Sequence, residues 1–273
     1  MKKILALILA MMMLACCFAS CADDNKGNAN ETKDPSTSAA DEKEEALTTV
    51  VEGKLTMATN AYFPPYEYYE GDKIIGIDAE IAEKVAEKLG LELEIKDMAF
   101  DSIITAVTEG SVDMGLAGMT VTDERLESVD FSISYASGVQ SIIVKDGSAI
   151  KSVDDLYAEG ANYKVGVQLG TTGDIYCVDD FGADRVTQYT TGNEAVSALI
   201  GGAVDCVIID NEPAKAFVAA NEGLVILDTS YADEDYAACI AKENDALLKA
   251  IDEAIYDLTE DGTIEAIIAK YIK

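Results

Sequence analysis

Histidine is absent from this 273-residue chain, arginine occurs only at Arg125 and Arg185, and basic residues number 20 against 51 acidic ones. Without histidine there is no imidazole proton relay, and with no CxxC pair either, the usual zinc ligand sets are missing. The shortage of positive charge argues against a nucleic-acid partner, because phosphate binding needs clustered Lys and Arg. The acid is not confined to a tail: residues 54–273 keep 42 acidic and 15 basic residues. Such a surface supports solubility and carries no information about fold. Cysteine is also scarce where a domain would need it. Three of the six lie at Cys16, Cys17 and Cys21, and the remaining Cys177, Cys206 and Cys239 are odd in number and widely spaced. They read as small buried hydrophobes, with a disulfide between two of them left open.

The longest apolar run, ILALILAMMMLACCFAS, follows a positive MKK and is too short for a membrane span. Residues 1–20 are therefore expected to be an export signal. Its ending, Ala19-Ser20-Cys21, resembles that of a bacterial lipoprotein signal, in which the cysteine is lipidated and becomes the new N-terminus. Cys16 is the alternative acceptor, and an ordinary cleaved signal peptide is the competing reading. Residues 22–50 are rich in Asp, Glu, Lys, Ser and Thr with no apolar period. Such a stretch cannot offset its conformational entropy by burial. Residues 21–52 are thus expected to be lipidation site and tether, placing the protein outside the cytoplasm, held to the cell membrane by lipid alone.

From Lys54 onward strand and helix patterns alternate. Lys54–Thr59 reads as a strand, and helix spacing follows at Ile77, Ile81, Val85 and Leu89 with Gly90 as the stop. Leu91–Ile95 is the next expected strand, Ile103, Ile104 and Val107 mark a second helix, and Val112–Leu116 a third strand. The order then restarts with Tyr163–Val167, a Gly-rich turn and helix, Val186–Tyr189, a helix over Glu194–Ile200, and Val204–Ile209. Asp245–Ile272 is helical with a break at Gly262. Two α/β units in succession predict two lobes, each a mostly parallel sheet flanked by helices. Ligands in such sheets sit beyond the C-terminal strand ends. Unusual residues gather there: Asn60 to Phe63, Ala117 to Thr120, Gly170 to Thr172, and Asp210.

Each motif has a plain structural alternative. In TNAYFPPYEYYEG, Tyr66, Tyr68 and Tyr69 are expected to form a satellite apolar cluster, whereas Phe63 stands closer to the strand end. GVQLGTTGD lacks the lysine of a phosphate loop. Its amides and hydroxyls can cradle an anion while its threonines cap a helix. Asp210, ending VDCVIID, either caps the following helix or receives a ligand ammonium. Arg125, flanked by Asp123, Glu124 and Glu127, is either a surface ion-pair partner or a carboxylate ligand.

Taken in order, ATNAYFPPYEY, IIGIDAEIAEKVAEKLGL, FDSIITAVTEGSVDMGLAGMTVTDERLESVDFSISY, KVGVQLGTTGD, GGAVDCVIIDNEP and DGTIEAIIAKY cover nearly all of residues 54–273. This series resembles the polar amino-acid-binding family (family 3) of bacterial ABC-transporter solute-binding proteins. The resemblance implies a type II periplasmic-binding-protein fold, hinged by two crossover strands, with lobe 1 over 53–141 plus 236–273 and lobe 2 over 142–235. It implies that Arg125 binds a ligand α-carboxylate, helped by Ala117, Gly118, Thr120, Thr171 and Thr172, and that Asp210 takes the α-ammonium. Phe63 and Phe100 would sandwich the ligand side chain, with Asn60 and Gln168 near its tip. A guanidinium fork suits a carboxylate as lysine cannot.

Many relatives carry aspartate where Asn60 stands. A cationic side chain buried without a carboxylate is costly, so a neutral polar L-amino acid such as glutamine is expected, with cystine or a basic amino acid as alternatives. Glu67 and Asp101 are acids whose place the pattern leaves open. The implied partners are a free amino acid and an ABC permease with its ATPase; a monomer is expected, with no cofactor and no metal. An enzyme such as a dehydratase on the same scaffold would need a tuned acid–base group, which makes it the weaker reading beside a binding protein. A ligand sensor is the third.

Overall fold

The computed structural model describes residues 47–229 and 231–272. The expected export signal, the lipidation site at Cys21 or Cys16 and most of the tether lie outside the described residues.

The chain enters the core through β1 (Lys54–Thr59), whose residues from Leu55 onward are all buried, as suits a strand covered on both faces. Short strands β2 (Tyr62–Phe63), β3 (Glu67–Glu70) and β4 (Lys73–Ile75) then form a small antiparallel sheet of their own. Helix α1 (Ile77–Leu89) buries Ile77, Ile81 and Val85 on one face and ends at Gly90, whose left-handed conformation lets its amide reach the last carbonyls. There follow β5 (Glu92–Asp97), a 3-10 turn at Phe100–Ser102, α2 (Ile103–Thr108), β6 (Met114–Gly115), α3 (Asp123–Leu126) and β7 (Val129–Phe131). β6 is shorter than the apolar run around it predicts. Just before it, the Asp113 amide donates to the Thr56 carbonyl while its carboxylate accepts the Thr56 amide and hydroxyl.

The second unit comprises β8 (Ala136–Lys145), α4 (Asp154–Tyr157), β9 (Val165–Gln168), α5 (Thr172–Phe181), β10 (Val186–Tyr189), α6 (Gly192–Gly201), β11 (Cys206–Asp210), α7 (Asn211–Ala220), β12 (Leu224–Ile226) and β13 (Ala232–Tyr236). The chain then returns to the first sheet as β14 (Cys239–Ala241) and finishes with α8 (Asp245–Glu260) and α9 (Thr263–Tyr271), divided at Gly262. Strand order is β5-β1-β6-β14-β7 in one sheet and β10-β9-β11-β8-β12 in the other, with β13 also on β8. The strands β5, β1 and β6, and likewise β10, β9 and β11, run parallel. Those beside the crossovers run antiparallel.

Two crossings join the lobes, between Phe131 and Ala136 and between Tyr236 and Cys239. β8 pairs with second-sheet strands from Ala136 onward, so the break expected after residue 141 falls inside a continuous strand. Cys177, Cys206 and Cys239 are free and buried, which answers the disulfide left open above. Arg185 donates to the Tyr163 and Leu156 carbonyls and lies over Phe181, tying the end of α4 to the chain before β9.

Tyr66, expected in a satellite cluster, is instead part of the main core, packed between Phe63 and Tyr236. Gly76, just before α1, sits at φ 128° where an added Cβ would overlap the Tyr66 carbonyl and lie 2.8 Å from the Pro65 oxygen. A Gly76→Ala variant is therefore expected to lose stability on the order of 1–3 kcal/mol. A thermal melt reads this directly, and an unchanged Tm would show that the loop can move aside.

Candidate functional site

Residues from several separate segments line one cleft. Asn60 follows β1, Phe63 ends β2 and Glu67 starts β3. Phe100 opens the turn after β5, and Ala117, Gly118 and Thr120 follow β6, with Arg125 on α3 beyond them. From the other lobe come Gln168 at the end of β9, Thr171 and Thr172 at the start of α5, and Asp210 ending β11. All the residues expected at the ligand are thus gathered here. Glu67 is the addition, and Asp101 is exposed and outside the lining.

Arg125 is 6% exposed, so it is not a surface partner of Asp123, Glu124 or Glu127. Among the described residues its ion pairs with carboxylates are nil; every salt bridge is made by lysine. Its Nη1 donates to the Thr120 carbonyl at 2.6 Å and its Nη2 to the Gly170 carbonyl at 3.0 Å, and the guanidinium lies 5.4 Å from the Phe100 ring centre. α3 is only four residues long and is held by Thr122, whose hydroxyl accepts the Arg125 amide. Burial lowers the Arg125 pKa, with the distant Glu234 opposing. The side chain stays a cation, since guanidinium does not lose its proton in proteins.

The turn after β6 depends on Gly118, at φ 53°, where a Cβ would come within 2.9 Å of the Phe63 ring. Its amide donates to Asp78 at 2.7 Å, and the Tyr135 hydroxyl donates to the same oxygen at 2.8 Å. Burial pushes Asp78 up to about 6 against these bonds. Two side-chain hydrogen bonds span the cleft between the lobes: Arg125 to Gly170, and Gln168 Nε2 to Asn60 Oδ1 at 3.0 Å. The lobes therefore meet in a closed arrangement. Thr171 caps α5 through the Asp174 amide, while Thr172 beside it is 3% exposed.

Asp210 occupies the cap position of α7, but its side chain makes no cap hydrogen bond. Its carboxylate accepts instead from the Tyr236 hydroxyl and from Gln140 Nε2 at 2.8 Å. Burial first, and the charge of Glu234 second, push it up to about 8. Glu67 is fully buried, and its carboxyl shares a hydrogen bond with that of Asp78. Burial and then Asp78 raise its pKa well above the carboxylate range. A signal for it existed in the hairpin register: Glu67 is paired directly with Phe63, so the two share a face.

Two α/β lobes joined by two crossovers, with a buried polar cleft where they meet, define a two-lobed solute-binding protein. The chain belongs to the bacterial extracellular solute-binding proteins, family 3, whose family model matches residues 55–273. It is 34% identical over 228 residues to the arginine-binding extracellular protein ArtP of Bacillus subtilis, covering 80% of this chain and 86% of ArtP. Among solved structures, an ancestral arginine-binding protein bound to glutamine matches with a TM-score of 0.76 and 37% identity, over 81% of this chain and 99% of that one. The substrate-binding protein AbpA of Streptococcus pneumoniae, bound to L-arginine, matches with a TM-score of 0.74 and 33% identity, over 80% and 94%.

Because the folded state favours the acid form of Asp210, stability from this group is complete below the ordinary carboxylate pKa near ~4 and is lost as pH rises towards about 8. Asp210→Asn is therefore expected to stabilise the ligand-free protein at pH 7, by at least about 1 kcal/mol, or a Tm rise of about 2–4 °C. Melts at pH 5 and pH 8 test the sign: the gain should be larger at pH 8.

Proposed function

We propose that the protein captures a free L-amino acid between its lobes and delivers it to an ABC importer, without chemistry on the ligand. The observation that carries this reading is a buried Arg125 with no carboxylate partner facing the same cleft as a buried Asp210 on the other lobe. Arg125 would grip the α-carboxylate, with the Gly118 turn and the amides and hydroxyls at Thr171 and Thr172 beside it. Asp210 would take the α-ammonium. Both ends of the zwitterion are then satisfied only with the lobes together, so binding shifts the population towards the closed form.

The side-chain subsite decides the ligand class. The expectation of a neutral side chain rested on Asn60 as the nearest polar group, and Glu67 changes the charge balance. A fully buried acid in the lining with no cation beside it suits a cationic side chain lying between Phe63 and Phe100, as in arginine or lysine. The names of ArtP and AbpA accord with this. The glutamine reading keeps one support: the Asn60–Gln168 amide pair, which can exchange hydrogen bonds with a neutral amide. The ancestral relative bound to glutamine accords with that one. Cys21 would anchor the exported chain to the membrane by lipid, and a monomer without cofactor suffices for the task.

Thermal-shift and calorimetric screening against L-arginine, L-lysine, L-glutamine and L-cystine tests the reading. At 100 Kd the ligand should add about 2.7 kcal/mol of stability. Arg125→Ala and Asp210→Ala are each expected to weaken binding by more than about 100-fold, since each leaves a ligand charge buried without its partner. Retained affinity in either would remove that residue from the site. Glu67→Gln should cost arginine affinity by about 100-fold and leave glutamine affinity nearly unchanged. The same loss for both ligands would return the subsite to the neutral class.

A further inference from the structure

We propose that Gln140 and Glu234, neither of which lines the cleft, act through Asp210. The Gln140 amide holds Glu234 beside Asp210, so that Asp210 keeps a proton in the empty cleft and gives it up when a ligand ammonium arrives. The proposal rests on the amino-acid reading of the site.

Sheet register builds the pair. Gln140 on β8 stands directly opposite Asp210 on β11 and opposite Ala232 on β13. Asp210, Gln140 and, two residues beyond Ala232, Glu234 therefore share one face of the second sheet. Both hydrogens of the Gln140 amide are used, to Asp210 Oδ2 at 2.8 Å and to Glu234 Oε2 at 2.9 Å. Gly138, opposite Glu234 in the ladder, has no side chain to block the Tyr236 hydroxyl, which an added Cβ would overlap. That hydroxyl donates to the other Asp210 oxygen. Gln140 and Glu234 are 1% and 6% exposed, and Glu234 Oε1 has no partner.

Glu234, held beside Asp210 in a dry site, disfavours a second negative charge there, so Asp210 keeps its proton. The other groups around them settle the sign. Glu67 on β3 and Asp78 on α1 are acidic, and Glu212 on α7 acts on the neighbouring Tyr66 together with Asp210. Tyr66, Tyr176 on α5 and Tyr236 stay neutral with raised pKa values. The cation Arg125 is the only opposing charge among these groups, and it reaches Glu234 without an ion pair. Gln140, Glu234, Asp210 and Tyr236 all belong to the second sheet, so opening the cleft leaves the cluster assembled. An incoming ammonium supplies the missing positive charge, Asp210 ionises, and the proton leaves to solvent. Affinity should then rise with pH up to about 8 and level off above it.

Calorimetric titration with L-arginine and with L-glutamine at pH 7, in phosphate and in Tris, measures the protons released from the difference in observed heats. The expected result is release of about one proton per L-glutamine and of more per L-arginine, since Glu67 must also ionise to face a cationic side chain, with a glutamine affinity that rises by up to about tenfold per pH unit between pH 6 and 8. Glu234→Gln should cut the release by at least about half and flatten the pH profile, which a merely structural role for Glu234 would not do. Heats independent of buffer in the native protein overturn this inference and leave the amino-acid reading standing. Equal proton release in the native protein and in Glu234→Gln also overturns it. Absence of binding by any amino acid overturns both.

Discussion

Charge removed from water and left without a partner is the constraint around which this molecule is arranged. Arg125 is buried on one lobe and Asp210 on the other, and in neither case does the surrounding protein supply the opposite charge at contact distance. A buried guanidinium tolerates such a position because carbonyl oxygens and the Phe100 ring hold it. The carboxylate tolerates it by holding on to a proton. Both arrangements are incomplete in a way that the proposed zwitterion would complete, which would make the cost of the empty cleft the source of its selectivity.

The fold makes that incompleteness possible. The C-terminal ends of β1 and β6 and of β9 and β11 all open on the same cleft, and the rigid strands bring side chains there with little freedom to move away. The crossings at residues 131–136 and 236–239 are short. Relative motion of the lobes therefore breaks the bonds that span the cleft, Arg125 to Gly170 and Gln168 to Asn60, while each sheet keeps its own registers. Tyr236 sits at one of these crossings, fully buried, edge-to-face with Tyr66 and bonded to Asp210. The hinge and the Asp210 side of the cleft thus share a residue.

Much of this was legible in order along the chain. The apolar spacing of α1, its stop at Gly90, the continuous apolar run of β11 and the break at Gly262 are local signals, and the structure places elements at each. The cleft residues expected from strand ends also gather in one place. Strand lengths were less legible: β5 runs on to Asp97, and β6 covers only Met114–Gly115. Three features hid from a linear reading. Glu67 sits in a run of aromatic and acidic residues that looks like surface, and only the β2–β3 pairing turns it inward. Gln140 and Glu234 lie 94 positions apart and meet only across β8 and β13. Asp210 reads equally well as a helix cap until its hydrogen bonds are seen.

What the amino-acid order determined by itself was the kind of architecture and the identity of the one arginine that had to be explained, because periodicity, glycine stops and charge scarcity are properties of neighbours along the chain. What only the tertiary structure decided was which charges are left without partners. Burial and pairing depend on residues distant in sequence, and an acid such as Glu67 changes from solvated surface group to buried acid when a hairpin and a helix close over it.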